Sequence, residues 1–162
     1  LYDLDDMKKI MKIIYKCMIQ IKRNNTFELL LEYFENIDNK YSRVLGNNVS
    51  LFDYCKKLSK NAEIFYLEIN NRKIGILAFY ANNFESRKAY ISSISIFSKY
   101  NGFGFGKKLL DFLEEYLKEL KFIEIELEVE ISNYKAITFY KQFGFIEISR
   151  KDISLIMRKE II

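Results

Sequence analysis

Three of the six glycines of this 162-residue chain lie within five positions, at Gly102, Gly104 and Gly106. They follow an apolar segment at 89–97 that is typical of a β-strand, and they precede an amphipathic segment that is typical of a helix. Because glycine has no Cβ, a turn built from it points backbone N–H groups outward and lets a ligand approach the main chain. The turn opens onto a helix N-terminus, which favours an anion. We therefore predict a phosphate-bearing ligand at this glycine turn (residues 101–106).

The spacing of the glycines restricts the kind of phosphate ligand. GxGxG is neither the GxGxxG of a dinucleotide-binding fold nor the GxxxxGK(S/T) of a P-loop, and no βαβ pattern precedes it. Lys107 and Lys108 follow directly and place positive charge at the start of the helix. Taken alone, the turn leaves open a glycine-rich connector that binds nothing.

The chain contains no histidine, and this restricts its chemistry. Ser-His-Asp and Cys-His catalysis and the familiar zinc sites are excluded, so we expect no metal. A net charge of +4 is too small and too evenly spread to indicate a nucleic acid partner. No apolar run approaches the roughly 20 residues of a membrane span, and no signal-peptide pattern opens the chain. We expect a cytoplasmic protein without a membrane partner.

The N-terminal part of the chain is predicted to be helical. Its first helix carries methionines at a spacing of three and four residues, and we expect this apolar stripe in the core. Cys17 and Cys55 lie in helical patterns and are expected to be reduced and buried. The chain begins with Leu1, which leaves open a first strand upstream. The predicted helices run from Asp3 to about Ile21, from Phe27 to about Ile37 and from about Ser50 to Ser59.

From Glu63 the pattern changes to the alternation of β-strands. Asn70-Asn71 predicts the tight turn of a hairpin. The segment at 122–130, FIEIELEVE, alternates strictly and places four glutamates on one face. The predicted strands are 64–69, 73–81, 89–97, 122–130, 145–148 and 153–157, with helices from Lys107 to about Leu120 and between Ser132 or Asn133 and Gly144.

With its flanks, the glycine turn resembles the pyrophosphate loop of the GCN5-related N-acetyltransferases (GNAT), Gln/Arg-x-x-Gly-x-Gly/Ala. Gly104-Phe105-Gly106 supplies the end of the motif, and Asn101 occupies the Gln/Arg position. A second segment, Asn133-x-x-Ala136-x-x-Phe139-Tyr140-x-x-Phe143-Gly144-Phe145, resembles the family's N-x-x-A-x-x-F/L-Y-x-x-x-G-F motif. Two motifs in the family's order are more specific than either one. The resemblance covers approximately Glu63 to Met157.

The resemblance implies an α/β (α+β) fold with a mixed, mostly antiparallel central sheet flanked by helices. It implies a single domain over 1–162, with a helical acceptor-side region at 1–62 and an acetyl-CoA-binding core at 63–157. In the family, backbone N–H groups of the glycine turn hold the pyrophosphate, and a bulged strand before the turn presents its main chain to the pantetheine and the thioester. The implied cofactor contacts are Ile94, Ile96, Asn101, Gly102, Phe103, Gly104, Phe105, Gly106, Lys107, Lys108, Asn133 and Tyr140.

The resemblance also implies catalytic roles. Tyr140 matches the family tyrosine that donates a proton to the sulfur of coenzyme A as it leaves, and Asn133 either contacts pantetheine or caps its helix. No motif identifies a base. We predict that Glu128 binds the amine or accepts its proton, with Glu130 as the alternative for the pocket and Glu85 or ordered water as alternatives for the base.

The predicted activity is direct transfer of an acetyl group, in a ternary complex, to the primary amine of a small molecule, with an amino sugar or a nucleotide-linked amino sugar as the preferred acceptor. A peptide or protein α-amine, a polyamine and an antibiotic stay open as acceptors, and a homodimer stays open as the assembly. The acceptor pocket is expected to include Tyr41, Arg43, Phe52 and Tyr54. The alternatives are a non-catalytic coenzyme-A-binding module and a flavodoxin-like nucleotide-binding domain.

Overall fold

The structure is a computed structural model that describes residues 3–37 and 50–161 of the chain. Helices and strands are interspersed along the chain. The helices are α1 (Leu4–Met18), α2 (Phe27–Asn36), α3 (Leu51–Asn61), α4 (Phe105–Glu119) and α5 (Tyr134–Gln142). The strands are β1 (Ile19–Arg23), β2 (Glu63–Ile69), β3 (Arg72–Tyr80), β4 (Lys88–Ile96), β5 (Glu124–Glu130), β6 (Ile146–Arg150) and β7 (Ser154–Glu160). Within the described ranges, no helix is long and apolar enough to cross a membrane.

The strands form one seven-stranded sheet in the order β1-β2-β3-β4-β5-β7-β6. Every neighbouring pair is antiparallel except β4 and β5, which run parallel. The predicted mixed, mostly antiparallel sheet is therefore confirmed. A flavodoxin-like fold requires a doubly wound parallel sheet, so that alternative is wrong.

The sheet separates two apolar cores. Residues of β2 alternate between them, since Phe65 and Leu67 pack with α4 and α5, whereas Ile64 and Tyr66 pack with α2 and α3. A strand that is buried on both faces carries apolar residues at nearly every position, as EIFYLEI does. The hairpin turn between β2 and β3 has left-handed backbone at Asn70 (φ 50°) and Asn71 (φ 62°), as the sequence predicted.

The N-terminal region differs from the prediction. The first helix ends at Met18 instead of about Ile21, and Ile19–Arg23 forms strand β1, which pairs antiparallel with β2. Ile19 and Ile21 fit both a helical stripe and a strand alternation, and the hydrogen bonds offered by the edge of β2 decide in favour of the strand. The region 1–62 is thus not entirely helical, and a first strand lies inside the chain.

The apolar stripe of α1 is also placed differently from the prediction. None of the α1 residues is buried, and Met7 and Met18 are exposed, so the expectation of a buried methionine stripe is wrong. Tyr15 is the α1 residue that packs against the main core. Cys17 on the same helix is exposed, whereas Cys55 on α3 is buried as predicted.

Replacement of Leu113 tests the packing of α4 on the sheet. Leu113 is fully buried, so Leu113→Ala should lower the free energy of unfolding by about 2–5 kcal/mol. Leu120→Ala removes the same atoms at the exposed end of α4 (38% exposed) and should cost about 1 kcal/mol. Urea unfolding measures both variants. Equal losses would contradict the position of the core.

Candidate active site

Strands β4 and β5 separate part-way along their length. Their parallel pairing covers only Lys88–Ile91 against Glu124–Leu127, although β4 continues to Ile96 and β5 to Glu130. In β4, Ile91 pairs with Phe79 and Ser93 pairs with Ala78, so Ser92 is an extra residue that bulges the strand. The sheet therefore contains a gap that begins beside Ser92 and widens toward the glycine turn. This bulge lies in the strand where the family resemblance implied one.

A groove of about 620 Å³ runs along the open side of β4. Its walls are the second half of β4, the glycine turn with the start of α4, and one face of α5. The lining residues are Ile94, Ser95, Ile96, Tyr100, Asn101, Gly102, Gly104, Phe105, Gly106, Lys107, Asn133, Lys135, Ala136, Phe139, Tyr140 and Gln142.

The glycine turn ends in a helix N-terminus that lacks a side-chain cap. Gly104 is the N-cap of α4 and has φ 82°, and Gly102 has φ 84°, a left-handed backbone that glycine adopts at low cost. Because Gly104 has no side chain, the N–H groups of the first turn of α4 donate no hydrogen bond to a capping side chain. Residues of this first turn line the groove, and free N–H groups at a helix N-terminus favour an anion such as a phosphate.

Glycine is favoured at position 106 for a different structural reason. A Cβ at this position would lie 3.1 Å from Cζ of Phe139, so a side chain would push α5 away from α4. The absence of a side chain at Gly106 therefore lets α4 and α5 pack closely at this point. Glycine is favoured at position 104 by its left-handed backbone and at position 106 by close packing.

Most of the predicted cofactor residues meet in this groove. All of those named above line it except Phe103 and Lys108. Lys108 is exposed, and Phe103 packs against Tyr15 of α1. Lys107 lines the groove while its Nζ atom lies 2.8 Å from Asp111, one turn further along α4. The groove also includes Tyr100, Lys135 and Gln142, which belong to neither sequence motif.

Tyr140 and Asn133 lie on α5, on the side of the groove opposite β4. Tyr140 is 9% exposed, and its ring packs edge-on against Phe145 with 5.6 Å between the centroids. The side chain of Asn133 accepts a hydrogen bond from the N–H of Ala136 at 3.2 Å. Asn133 therefore caps α5 and lines the groove at the same time.

Glu128 lies on the opposite face of the sheet from α5. Its carboxylate accepts hydrogen bonds from Ser154 Oγ at 2.5 Å and from Lys151 Nζ at 3.0 Å. These two hydrogen bonds, that of Ser154 first, lower the pKa of Glu128 below its ordinary value. A carboxylate that is stabilised in this way is a weak base, so the structure gives little support to Glu128 as the residue that accepts the amine proton.

Tyr90 is a residue of this face that the sequence analysis missed. Burial raises its pKa, and the negative charges of Glu128 and Glu126 raise it further, against a hydrogen bond with the Glu128 main chain that lowers it. The phenol therefore stays protonated at neutral pH and is available as a donor. No motif marks Tyr90, and only the parallel register, which pairs it with Glu126, brings it to the start of the gap.

The predicted acceptor residues are only partly brought to the gap. The hydroxyl of Tyr54 lies 3.1 Å from Ser92 Oγ and 3.3 Å from its carbonyl oxygen, at the bulge. Phe52 instead packs against Phe27 and is half exposed. Tyr41 and Arg43 lie outside the described residues. Of the other predicted carboxylates, Glu130 accepts from Ser132 Oγ at 3.2 Å, and Glu85 is exposed in the loop before β4.

Among residues 3–37 and 50–161, no cluster of three or more cysteine, aspartate or glutamate side chains has an arrangement that would hold a metal ion.

Comparison with known proteins agrees with this geometry. The sequence model of the Acetyltransferase (GNAT) family matches residues 23–145. The chain belongs to the GNAT family. Membership makes it an N-acetyltransferase, with acetyl-CoA as its co-substrate, and the resemblance stated from the two motifs is confirmed. The match begins at Arg23, so α1 and most of β1 lie outside it.

Relatives and solved structures support the assignment to GNAT. The chain is 26% identical over 127 residues to N-alpha-acetyltransferase 30 of Saccharomyces cerevisiae, which covers 74% of this chain and 72% of the yeast protein. It is 26% identical over 144 residues to an N-alpha-acetyltransferase of Sulfolobus acidocaldarius, covering 78% and 84%. Its fold resembles the crystal structure of spermidine N-acetyltransferase from Vibrio cholerae in complex with CoA and spermine (TM-score 0.69, 19% identity, 90% and 96% covered).

Replacement of Gly104 tests the role of the glycine turn in this GNAT enzyme. Alanine at φ 82° is strained by about 1–2 kcal/mol, and relief of the strain would move the N–H groups at the start of α4. We expect Gly104→Ala to raise the Kd for acetyl-CoA about tenfold in calorimetric titration. Asn70→Ala introduces strain of the same kind in the remote hairpin turn (φ 50°) and should leave this Kd unchanged. An unchanged Kd in the Gly104 variant would contradict the prediction that the glycine turn binds the diphosphate of acetyl-CoA.

Replacement of Glu128 tests its electrostatic environment. The pKa of Glu128 is lower in the folded protein than in the unfolded chain. The ionised carboxylate therefore stabilises the fold at pH values above the unfolded-state pKa. This stabilisation is lost as the pH falls through the folded-state pKa. Glu128→Gln should therefore be less stable than wild type at pH 7, and the difference should shrink below about pH 4. Urea unfolding at several pH values measures this difference, with exposed Glu115→Gln as the control. A difference that grows on acidification would refute the assignment.

Proposed function

We propose that this GNAT enzyme transfers the acetyl group of acetyl-CoA directly to the α-amine of a peptide or protein, in a ternary complex. Two of the relatives reported above are named N-alpha-acetyltransferases, and both are matched over most of their length. No relative described here is named for an amino sugar, so the acceptor that the sequence analysis preferred gives way to one of its stated alternatives.

The lack of a strong base is the observation that carries the choice of an α-amine. The chain has no histidine, Glu128 has a lowered pKa, and Tyr90 has a raised one. An α-amine has a pKa of about 7.7–8.0, so roughly a third of it is neutral near pH 7.5, whereas a lysine amine with a pKa of about 10.4 is neutral at about one part in a thousand. An enzyme that relies on water as the proton acceptor therefore suits an α-amine far better.

The two faces of the sheet support a ternary complex. Ile125, Leu127 and Val129 of β5 point into the core shared with α4 and α5, so Glu126, Glu128 and Glu130 point to the other face. Among the described residues, helices α2 and α3 pack on that face over β2 and β3, and no core residue of β5 belongs to their cluster. The groove thus lies on one face and the glutamates of β5 on the other, and the pairing of β4 with β5 ends between them.

In this proposal, cofactor binding, polarisation of the thioester and proton donation are carried out by different groups of the protein. Acetyl-CoA supplies the acetyl group and a thiolate as the leaving group. The N–H groups at the start of α4 hold the diphosphate, and the bulged main chain of β4 aligns and polarises the thioester carbonyl. The protonated amine loses one proton to water, and the neutral amine attacks the carbonyl carbon to form the new C–N bond. Tyr140 donates its phenolic proton to sulfur as the C–S bond breaks, and the second proton that leaves nitrogen as the amide forms returns through water to the phenol.

A free-thiol assay with acetyl-CoA and a panel of acceptors tests the proposed acceptor. The panel contains a peptide with a free N-terminus, the same peptide blocked at its N-terminus but carrying lysine, spermidine and an amino sugar. We expect kcat/KM for the free N-terminus to exceed that for the lysine peptide by about two orders of magnitude at pH 7.5. Higher activity with the blocked peptide, spermidine or the amino sugar would refute the choice of a peptide α-amine.

Replacement of Tyr140 tests the proton donor. Loss of the phenolic hydroxyl should lower kcat by about 10²- to 10³-fold in Tyr140→Phe and leave the Kd for acetyl-CoA within a few-fold of wild type, because general acid catalysis contributes on this scale. Tyr134→Phe makes the same change at the exposed start of α5 and should keep full activity. A Tyr140→Phe enzyme with nearly full kcat would show that another group protonates the sulfur.

A further inference from the structure

We propose that α1 is part of the cofactor site and that Tyr15 is a positioning residue, which holds the glycine turn in the conformation that binds acetyl-CoA. The inference rests on the proposed role of the glycine turn as the diphosphate cradle. It adds to that proposal an element outside the residues matched by the GNAT family model, because the match begins at Arg23 and α1 ends at Met18.

The ring of Tyr15 contacts one aromatic residue just before the glycine turn and two within it. Its centroid lies 6.1 Å from that of Tyr100, 5.3 Å from that of Phe103 and 5.9 Å from that of Phe105. The contacts with Tyr100 and Phe103 are edge-to-face, a favoured arrangement of aromatic rings. One side chain of α1 therefore contacts the residue that precedes the turn and both of its phenylalanines.

The turn needs such an anchor because of its own sequence. Gly102 and Gly104 both have left-handed backbone and no side chain, so neither fixes the turn by packing. Between them, Phe103 is the one residue with a large side chain, and it is not among the residues that line the groove. Its ring points instead toward Tyr15 and stacks on Phe105 at 5.9 Å. The conformation of the turn thus depends on where Phe103 is held.

Anchoring the turn affects the binding of a diphosphate directly. The N–H groups that face the groove belong to the turn and to the start of α4, so a turn that is free to rearrange must be ordered again whenever the cofactor binds. A turn that is already held in place avoids this cost, which is the usual effect of preorganisation on affinity. Tyr15 does not itself line the groove, and its ring contacts do not include Tyr140, so its effect should fall on cofactor binding and not on kcat.

The rest of α1 supplies a matched control. Its other large apolar side chains are mostly exposed, and Ile14 is directly adjacent to Tyr15 in sequence and 44% exposed. Replacement of Ile14 perturbs the same helix without removing a contact with the glycine turn. Replacement of Tyr15 by phenylalanine keeps the ring and all three aromatic contacts.

Calorimetric titration of the full chain with acetyl-CoA tests the inference. We expect Tyr15→Ala to raise the Kd, and the KM for acetyl-CoA, about tenfold (about 1.4 kcal/mol) with kcat unchanged, and we expect Tyr15→Phe and Ile14→Ala to stay within twofold of wild type. A Tyr15→Ala Kd within twofold of wild type, or an equal rise in Ile14→Ala, would overturn the inference. Wild-type protein that binds no acetyl-CoA would instead overturn the proposed function itself.

A double-mutant cycle keeps the inference testable if Tyr15→Ala loosens α1 generally. If Tyr15 acts through Phe103, the effects of Tyr15→Ala and Phe103→Ala on the Kd should be non-additive, and the double variant should bind about as weakly as the weaker single variant. Additive effects would show that Tyr15 does not act through the turn. Circular dichroism of each variant verifies that it is folded before titration.

Discussion

The site depends on the separation of β4 from β5. Two parallel strands that stayed paired to their ends would close the sheet and leave no passage between its faces. Here the pairing stops after Ile91 and Leu127, and the extra residue Ser92 turns the main chain of β4 out of the ladder. The groove, the position of α5 against it and the access from the other face all follow from that divergence. The site of this GNAT enzyme thus lies where the hydrogen bonding between two strands is interrupted.

The acidic face beside the gap is less charged than its sequence suggests. Glu124 lies 2.8 Å from Lys88 Nζ, Glu126 lies 2.5 Å from Arg158, and Glu128 lies 3.0 Å from Lys151. Each of these glutamates is paired with a cation from a neighbouring strand or turn. The surface therefore presents oriented hydrogen-bond acceptors without a large net negative field.

The sequence predicted the core of the fold well and its N-terminal part poorly. The glycine turn and the second motif carry backbone geometry in their residue types, so a helix start after the glycines and an N-cap at Ser132 or Asn133 could be predicted before the structure was known. The helix α4 begins at Phe105, two residues before the predicted Lys107, and Asn133 is the N-cap of α5. The alternation of FIEIELEVE likewise fixed the two faces of β5. These features are local, and local patterns are what a single sequence expresses.

The missed features depend on contacts between distant segments. Tyr90 is recognised only because the parallel strand register places it beside Glu126. Tyr15 is recognised only because it contacts Phe103, which lies 88 residues later in the sequence. The stripe of α1 has the spacing of a core helix, yet most of it faces outward, because periodicity describes how apolar residues are arranged and not what covers them. Ile19 and Ile21 fit helix and strand equally, and the partner strand decided between them.

Because one of the two thiols is exposed and the other is buried, a spectroscopic probe can be attached selectively to α1. Burial, with a smaller effect of Glu35, raises the pKa of the Cys55 thiol to about 11, so it is almost wholly protonated at neutral pH and shielded from reagents. Cys17 is exposed on the same helix as Tyr15, two residues further along the chain. The unmodified protein therefore carries one accessible attachment point for a fluorophore or a spin label, on the helix whose Tyr15 contacts the glycine turn.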